Sequence, residues 1–193
     1  MLKKLSAIVL STASAFAMHT AEINVNDLDL EVSAKFDVGQ FNDAVEPDTM
    51  FVGAKFLNAD ESHSSDDPKS LDPYYEVSLL MMRPIGNGGM SLGMGAKMNY
   101  TKDYTAIPLG LEFAFKLPVK ELIPMYINGS LYYAPTVLSL QDADNFLEYR
   151  ISYDVEVIDN GRLTLGYRNI NTNYDQGDLN YNSSWYIGFK IGF

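Results

Sequence analysis

Charged side chains that could carry chemistry recur at alternate positions along several extended segments of this chain. Carboxylates and cations spaced in this way can exchange protons, bind ions or pair with one another. Because alternate side chains of a β-strand share one face, each set is expected to project from a single face of its strand. The residues nominated for this charge network are Glu31, Lys35, Glu76, Lys97, Glu112, Lys116, Glu148, Arg150, Asp154, Glu156, Arg162, Arg168 and Lys190.

The sequence contains no convincing set of catalytic residues. The chain has two histidines, His19 and His63, and no cysteine, which excludes cysteine nucleophiles, thiolate metal sites and disulfides. His63 lies between two serines, but neighbours in one loop are not positioned as nucleophile and base. A site made only of carboxylates, such as Glu148 with Glu156, stays open. We nominate no catalytic residue and no cofactor, and expect that the protein is not an enzyme.

Overall charge excludes one class of partner. The formal net charge of the 193-residue chain is −11. Binding to nucleic-acid phosphates requires a basic stripe, and this sequence has none. We therefore expect no nucleic acid as a partner, and the length is that of a single domain.

The elements that must position the charged residues are segments in which apolar and polar side chains alternate. Met90–Tyr100 is the clearest, because its even-numbered residues are apolar and its odd-numbered residues are Ser, Gly, Lys or Asn. In Leu28–Val38 the second face is mostly charged, which no soluble core requires. Wall strands of transmembrane β-barrels show this pattern, with one face toward lipid and one toward a polar lumen. Further candidate strands are Met50–Leu57, Tyr74–Arg83, Ile107–Leu117, Met125–Tyr133, Leu147–Ile158, Arg162–Asn171 and Trp185–Phe193.

The last of these strands ends the sequence on a phenylalanine. Its odd-numbered residues are aromatic or aliphatic, as expected for a face in contact with lipid. The ending is similar to the C-terminal signal that the assembly machinery of bacterial outer membranes recognises, and this similarity implies an assembly role for Tyr186, Phe189, Ile191 and Phe193. Tyrosines near strand ends are expected in interfacial girdles, namely Tyr74, Tyr75, Tyr100, Tyr104, Tyr126, Tyr132, Tyr133 and Tyr186.

The first residues have the features of an export signal. Lys3 and Lys4 precede the mostly apolar stretch Leu5–Phe16, and Ala15 and Ala17 supply the small residues of a cleavage site. The stretch is shorter than the roughly 20 residues that a membrane-spanning helix needs. We expect residues 1–17 to be removed as a signal peptide and residues 18–193 to form a single barrel domain in the outer membrane of a Gram-negative bacterium.

The connections between candidate strands alternate in length. Gly86–Gly89 and Asp159–Gly161 are tight hairpin turns, because Asn-Gly favours the positive φ that such turns require. Longer polar connections lie at the opposite end. Short periplasmic turns and longer extracellular loops are typical of outer-membrane barrels. The predicted outer loops are Ala59–Pro73, Thr101–Thr105, Pro135–Phe146 and Tyr174–Ser184.

Strand parity decides the predicted number of strands. A bacterial barrel has an even number of strands with both termini in the periplasm, whereas nine candidates are evident. His19–Asn26 can supply the tenth, because its apolar phase slips by one residue at Asn26 and Asp27, as a tight turn requires. We favour a small antiparallel barrel of ten strands. A barrel of eight strands, with residues 18–38 appended or tucked inside, is the alternative.

Several local motifs of the chain resemble those of a known family. They are Tyr132-Tyr133-Ala134-Pro135 followed by Leu138-Ser139, Gly166-Tyr167-Arg168 with Ile170, and Tyr186-Ile187-Gly188 leading to Phe193. Together they resemble the YfaZ family of outer-membrane proteins. The resemblance implies an outer-membrane location and a barrel architecture. It implies no activity and carries over no catalytic residue.

The inward charges suggest what the lumen contains. Glu22, Asp29, Asp37 and Lys55 also fall on this face, and the two signs nearly cancel. Charges in a narrow lumen must be paired or hydrated, because an isolated buried ion is very costly. We therefore expect an integral outer-membrane barrel that is structural or weakly porin-like, with a largely salt-bridged lumen. A narrow solute pore and a soluble periplasmic β-sandwich that binds a ligand are the two alternatives.

Partners follow from this location. Outer-membrane lipid, lipopolysaccharide and the assembly machinery are expected, with a small polar solute as a further candidate. The acidic run Asp60–Asp67 contains carboxylates and His63, which could bind calcium, magnesium or zinc. Its spacing matches no calcium-binding loop, and we nominate no metal site. Bridging of divalent cations from this run to lipopolysaccharide phosphates is a hypothesis.

Overall fold

Antiparallel strands make up most of the chain that the computed structural model describes, which is residues 19–59, 71–119, 123–141, 143–174 and 177–193. The predicted signal peptide and the acidic run Asp60–Asp67 lie outside these residues. Within them the strands are β1 Thr20–Val25, β2 Asp29–Asp37, β3 Met50–Ala59, β4 Tyr74–Ile85, β5 Met90–Tyr100, β6 Tyr104–Ala106, β7 Leu109–Lys116, β8 Met125–Ala134, β9 Ser139–Gln141, β10 Ala143–Ile158, β11 Gly161–Tyr174 and β12 Gly177–Gly192.

Ten of the strands in the described residues form a closed wall. The order around the wall is β1, β2, β3, β4, β5, β7, β8, β10, β11 and β12, and β12 pairs again with β1. All of these pairings are antiparallel. The segment predicted as the tenth strand is β1. The ten-strand barrel is therefore confirmed, and the eight-strand alternative is wrong.

The two ends of the barrel differ. We call the end that holds Thr20 and Gly192 the turn end, and the opposite end the loop end. Thr20 lies opposite Gly192 in the register, so β1 and β12 meet at the turn end. The short β1–β2 connection is at the loop end, where the Asn26 side chain accepts hydrogen bonds from the backbone N–H groups of Leu28 and Asp29 at 2.8 and 2.6 Å. The predicted tight turn at Asn26 is therefore present.

One connection at the turn end is longer than the short hairpin turns expected at this end. Residues 38–49 join β2 to β3 and begin with a 3-10 turn, Val38–Gln40. Asp37 holds this segment by accepting hydrogen bonds from the backbone N–H groups of Gly39 at 3.0 Å and Asp48 at 2.9 Å. The alternation assigns Asp37 to the lumen charges, but its carboxylate instead accepts hydrogen bonds from the connection between β2 and β3.

At the loop end the wall continues beyond the predicted strands. The segment Tyr174–Ser184, expected as a loop, largely belongs to β12, and Pro135–Phe146 contains β9 and the start of β10. The polar composition of these segments resembles a loop, but Phe146 and Tyr181 bury their side chains inside the barrel. That burial favours continued strand pairing, because each extended residue gains both a ladder hydrogen bond and an inward contact.

The outer face of the wall is apolar. Trp185 and Ile187 are 65% and 63% exposed, whereas Tyr186 between them is 2% exposed. In a β-sandwich such apolar faces would pack against a second sheet. Here the sheet closes on itself and turns its apolar face outward, so the surroundings that this face fits are lipid. The soluble sandwich is therefore not favoured.

The tyrosines divide between the two faces instead of forming one girdle. Tyr75, Tyr100 and Tyr133 are exposed on the outer face. Adjacent residues of a strand point to opposite faces, so the neighbouring tyrosines of a Tyr-Tyr pair cannot both meet lipid. The tyrosines expected in the girdle but buried inside are Tyr74, Tyr104, Tyr126, Tyr132 and Tyr186.

Helices play little part in the described residues. No helix there has the length and apolar character that a membrane-spanning helix requires.

Glycines in the inner wall make room for two of the buried tyrosine rings. A Cβ atom added to Gly166 would lie 2.3 Å from Cζ of Tyr186, and one added to Gly110 would lie 2.5 Å from Cδ1 of Tyr132. Each ring therefore packs directly on the backbone of a neighbouring strand. The polar lumen is narrow enough that any larger residue at these positions would displace a ring.

Replacing Gly166 with alanine tests this packing. We expect Gly166→Ala to destabilise the barrel by about 1–3 kcal/mol, the usual effect of overpacking. The measurement is the temperature at which the folded band on an unboiled gel converts to the unfolded band. Gly88→Ala is the matched control, since an added Cβ there meets nothing within 4 Å. Equal conversion temperatures for the two variants would show that the tyrosine contact is not tight.

Candidate functional site

Four charged side chains of alternating sign meet in the middle of the lumen, and we call them the central quartet. Lys55 on β3 contacts Glu76 on β4 at 2.7 Å and Glu148 on β10 at 2.9 Å. Lys97 on β5 contacts Glu148 at 2.9 Å and Glu76 at 3.3 Å. All four side chains are at most 8% exposed. Because each ion touches two of opposite sign, the quartet is neutral and links strands across the barrel.

A second group lies beside the quartet, and we call it the arginine cluster. Arg150 and Arg168 both donate to Glu31 at 2.5 Å. Arg168 also contacts Asp29 at 3.3 Å and donates to the side chain of Asn182 at 2.9 Å. Asn182 in turn donates to Asp29. Two arginines sharing one carboxylate would repel each other without these further acceptors, so the amide and Asp29 complete the cluster.

Ion pairs nearer the turn end are more accessible to water. Lys35 on β2 reaches Glu112 on β7 at 2.8 Å, and the Lys35 side chain is 42% exposed. Lys190 contacts Asp154 at 2.9 Å and Glu22 at 3.3 Å. Arg162 contacts Glu156 at 3.6 Å. Solvent screens such partly exposed pairs, so each contributes less to stability than a pair of the quartet.

Tyrosine rings provide a second kind of partner for the lumen cations. The ammonium of Lys97 lies 4.0 Å from the ring centre of Tyr132, and the guanidinium of Arg162 lies 4.0 Å from that of Tyr126. The Tyr132 hydroxyl donates to Glu112 at 2.7 Å, and the Tyr126 hydroxyl donates to Glu156 at 2.9 Å. Each ring thus offers its face to a cation and its hydroxyl to a carboxylate, which suits it to a charged interior.

An apolar layer closes the lumen at the loop end, and we call it the cap. The strands β6 and β9 pair with each other and β6 pairs with the end of β5, which places them at this end. Tyr104 of β6 packs against Phe146 of β10, with ring centres 6.0 Å apart. The buried members of the cap are Leu57, Ala59, Tyr74, Tyr104, Ala106, Ala134, Ala143, Phe146, Ile170 and Tyr181.

A cavity of about 280 Å³ occupies the other half of the lumen. Its lining runs from Pro124, Asn160 and Gly192 at the turn end to Glu148 of the central quartet. No residue of β6 or β9 lines it. The cavity therefore ends below the cap, and within the described residues it is reached from the turn end.

The structure brings most of the nominated charges into these groups. Within the described residues every nominated residue except Lys116 forms an ion pair. Lys116 lies 5.7 Å from the ring centre of Tyr126 and lines the cavity. The nomination omits Lys55, Asp29 and Glu22, although the alternation places them on the same face. It also omits the tyrosines and Asn182, because no charge marks them in the sequence.

Comparison with known proteins gives a family and a fold. A family model described as YfaZ precursor matches residues 5–193. A search of curated proteins finds no match.

Among solved structures the chain is similar to three channels of outer membranes. The KdgM porin has a TM-score of 0.45 and 9% identity over 91% of this chain and 98% of that chain. The NanC porin has a TM-score of 0.42 and 7% identity, with the same coverage. The outer membrane channel DcaP of Acinetobacter baumannii has a TM-score of 0.38 and 11% identity over 95% of this chain and 55% of that chain.

Breaking the central quartet tests its contribution to stability. We expect Glu148→Gln to destabilise the barrel by about 3–5 kcal/mol, because it leaves two buried lysines without their shared carboxylate. Urea unfolding of the refolded protein in lipid vesicles measures the change. The control is Arg83→Gln, which removes an exposed pair with Glu46 at the turn end and is expected to change stability by less than about 1 kcal/mol. Similar effects of the two variants would contradict a structural role for the quartet.

Proposed function

The chain belongs to the YfaZ family and lies in the outer membrane of a Gram-negative bacterium, and from that premise we propose that it is a closed, structural barrel. Ion pairs fill the middle of its lumen and the apolar cap fills the loop end, so it does not conduct solutes freely. The periplasm lies at the turn end, since both termini of an outer-membrane barrel are periplasmic.

The arrangement of barriers in series supports this proposal. A solute that crossed the barrel would pass first through the central quartet and the arginine cluster and then through the cap. The side chains of Glu31, Glu148 and Arg168 are at most 1% exposed, so separating them would leave charges buried without partners. The cap would then have to open as well, because its side chains pack against one another.

Charge balance supports low ion selectivity. Selective pores use rings of one sign to attract the permeating ion. Here the quartet holds two lysines and two glutamates that contact each other within 3.3 Å. The same contacts stiffen the wall by joining β3, β4, β5 and β10. A structural role therefore fits this lumen better than selective conduction.

The position of the acids supports a non-enzymatic role. Glu148 and Glu156 lie on one strand with eight residues of spacing, which is roughly 26 Å at 3.3 Å per residue. Glu148 pairs with the two lysines of the quartet, and Glu156 contacts Tyr126 and Arg162. Two carboxylates that act on one bond must lie within about 10 Å of each other. These acids therefore belong to separate structural groups.

Assembly and lipid contacts are further parts of the proposal. Phe189 and Ile191 lie on the lipid-facing side of β12 and the exposed Phe193 follows its last residue, whereas Tyr186 faces inward against Gly166. In the unfolded strand all four would be available to the assembly machinery. We propose that this machinery reads them before closure, and that lipid and lipopolysaccharide then cover the outer face.

Conductance in planar bilayers tests the proposed closure. We expect the refolded protein to show no steps at high salt. Tyr104→Ala with Phe146→Ala thins the cap, Lys97→Ala with Glu148→Ala removes part of the quartet, and either pair alone is expected to stay silent. All four changes together are expected to conduct, since both barriers are then weakened. Tyr75→Ala on the outer face is the control, and steps from the unaltered protein would overturn the proposal.

A further inference from the structure

The turn-end opening of the cavity is a distinct electrostatic environment, and we call it the mouth. Its charged residues are Lys35, Lys116, Arg162 and Lys190 with Glu22, Glu112 and Glu156, all of which line the cavity. The side chains of Lys35 and Glu156 are 42% and 22% exposed, compared with 1% for Glu148 in the quartet. Water and small solutes therefore reach the mouth without disturbing the buried ion pairs.

Among the described side chains that line the mouth, cations outnumber carboxylates by one. Four cations and three carboxylates of the mouth line the cavity, whereas the further carboxylate of this end, Asp154, pairs with Lys190 and does not line the cavity. Lys116 forms no ion pair within the described residues, and because the cavity is partly shielded from water its charge acts more strongly there than it would on an open surface.

Two of the mouth cations converge on one aromatic ring. The Arg162 guanidinium lies 4.0 Å and the Lys116 ammonium 5.7 Å from the ring centre of Tyr126. Glu156 accepts from the Tyr126 hydroxyl and contacts Arg162, and Lys116 forms no ion pair within the described residues. A carboxylate or phosphate group presents several acceptor oxygens and can receive hydrogen bonds from an ammonium and a guanidinium together.

We propose that the mouth binds a small organic anion, whose carboxylate or phosphate group lies between Lys116 and Arg162 and which enters from the periplasm. Serine and asparagine side chains along the cavity, including Ser130, Ser152 and Asn128, can bond to hydroxyl groups of the same ligand. A volume of about 280 Å³ suits a group of about monosaccharide size. This site does not depend on whether the cap is closed.

Calorimetry on the refolded protein in neutral detergent tests the site with matched probes. Gluconate and sorbitol differ by the exchange of a carboxylate for a hydroxymethyl group, and inorganic phosphate represents the other anion. We expect saturable binding of gluconate or phosphate that weakens as salt is added, and none of sorbitol. Binding of one anion alone identifies the preferred group. Equal binding of gluconate and sorbitol, or no binding of either anion, overturns the proposal.

Variants locate the binding site. Lys116→Gln and Arg162→Gln are each expected to weaken anion binding about tenfold, since each removes a charged hydrogen-bond donor. Arg83→Gln removes a cation at the same end of the barrel but outside the cavity, and should leave binding unchanged. An unboiled gel confirms that each variant is folded. Unchanged binding in Lys116→Gln would overturn the assignment.

A cysteine reporter gives a second readout of the same charge. The chain has no cysteine, so Ser130→Cys introduces a single thiol into the cavity. We expect an anionic methanethiosulfonate to react about tenfold faster than a cationic one, because a cationic mouth concentrates anions. Adding Lys116→Gln should lower this ratio, and gluconate or phosphate should protect the thiol. A faster reaction with the cationic reagent would contradict the proposal.

Discussion

Burial of charge inside a closed sheet is the constraint on which this molecule depends. Because side chains alternate along a strand, a barrel that turns its apolar face to lipid must turn its polar face inward. A narrow lumen cannot hydrate every ion it receives, so each buried ion needs a partner across the barrel. The central quartet and the arginine cluster meet this requirement with contacts that join strands on different sides of the wall. The inner surface is therefore held together by charge, where a soluble barrel would use apolar packing.

The lumen is organised in layers along the barrel axis. The cap at the loop end is apolar, the arginine cluster and the quartet are charged and buried, and the mouth at the turn end is charged and more exposed. Tyrosines connect these environments, because a ring can pack on glycine, accept a cation on its face and donate from its hydroxyl. Tyr132 does all three, toward Gly110, Lys97 and Glu112. A residue of this kind lets a charged interior pack densely while its own hydroxyl keeps a hydrogen-bond partner.

The strands were largely predictable from the sequence, because a period of two is a local property. Even the short first strand was predictable, because its apolar residues alternate and because a barrel needs an even number of strands. The ion partners were not predictable, since Lys35 and Glu112 are 77 residues apart and meet only when the wall closes. The start of β12 was missed because Gly177–Ser184 is polar, and its burial depends on neighbours from β11 and from the chain near Asp72. The mouth was not predictable from the sequence either, because Lys116 and Arg162 approach Tyr126 only in the folded barrel.

The closing seam of the wall has a mechanical consequence. β1 is six residues long and joins each neighbour through six residue pairs, whereas β11 and β12 are joined along fourteen. Ladder bonds in a sheet share an applied load, so a seam with fewer pairs ruptures at lower force. Pulling on the barrel should therefore peel β1 away first and leave the long β10–β12 meander as the last unit to unravel. The same short seam is where a growing barrel can close fastest, since few pairs have to come into register.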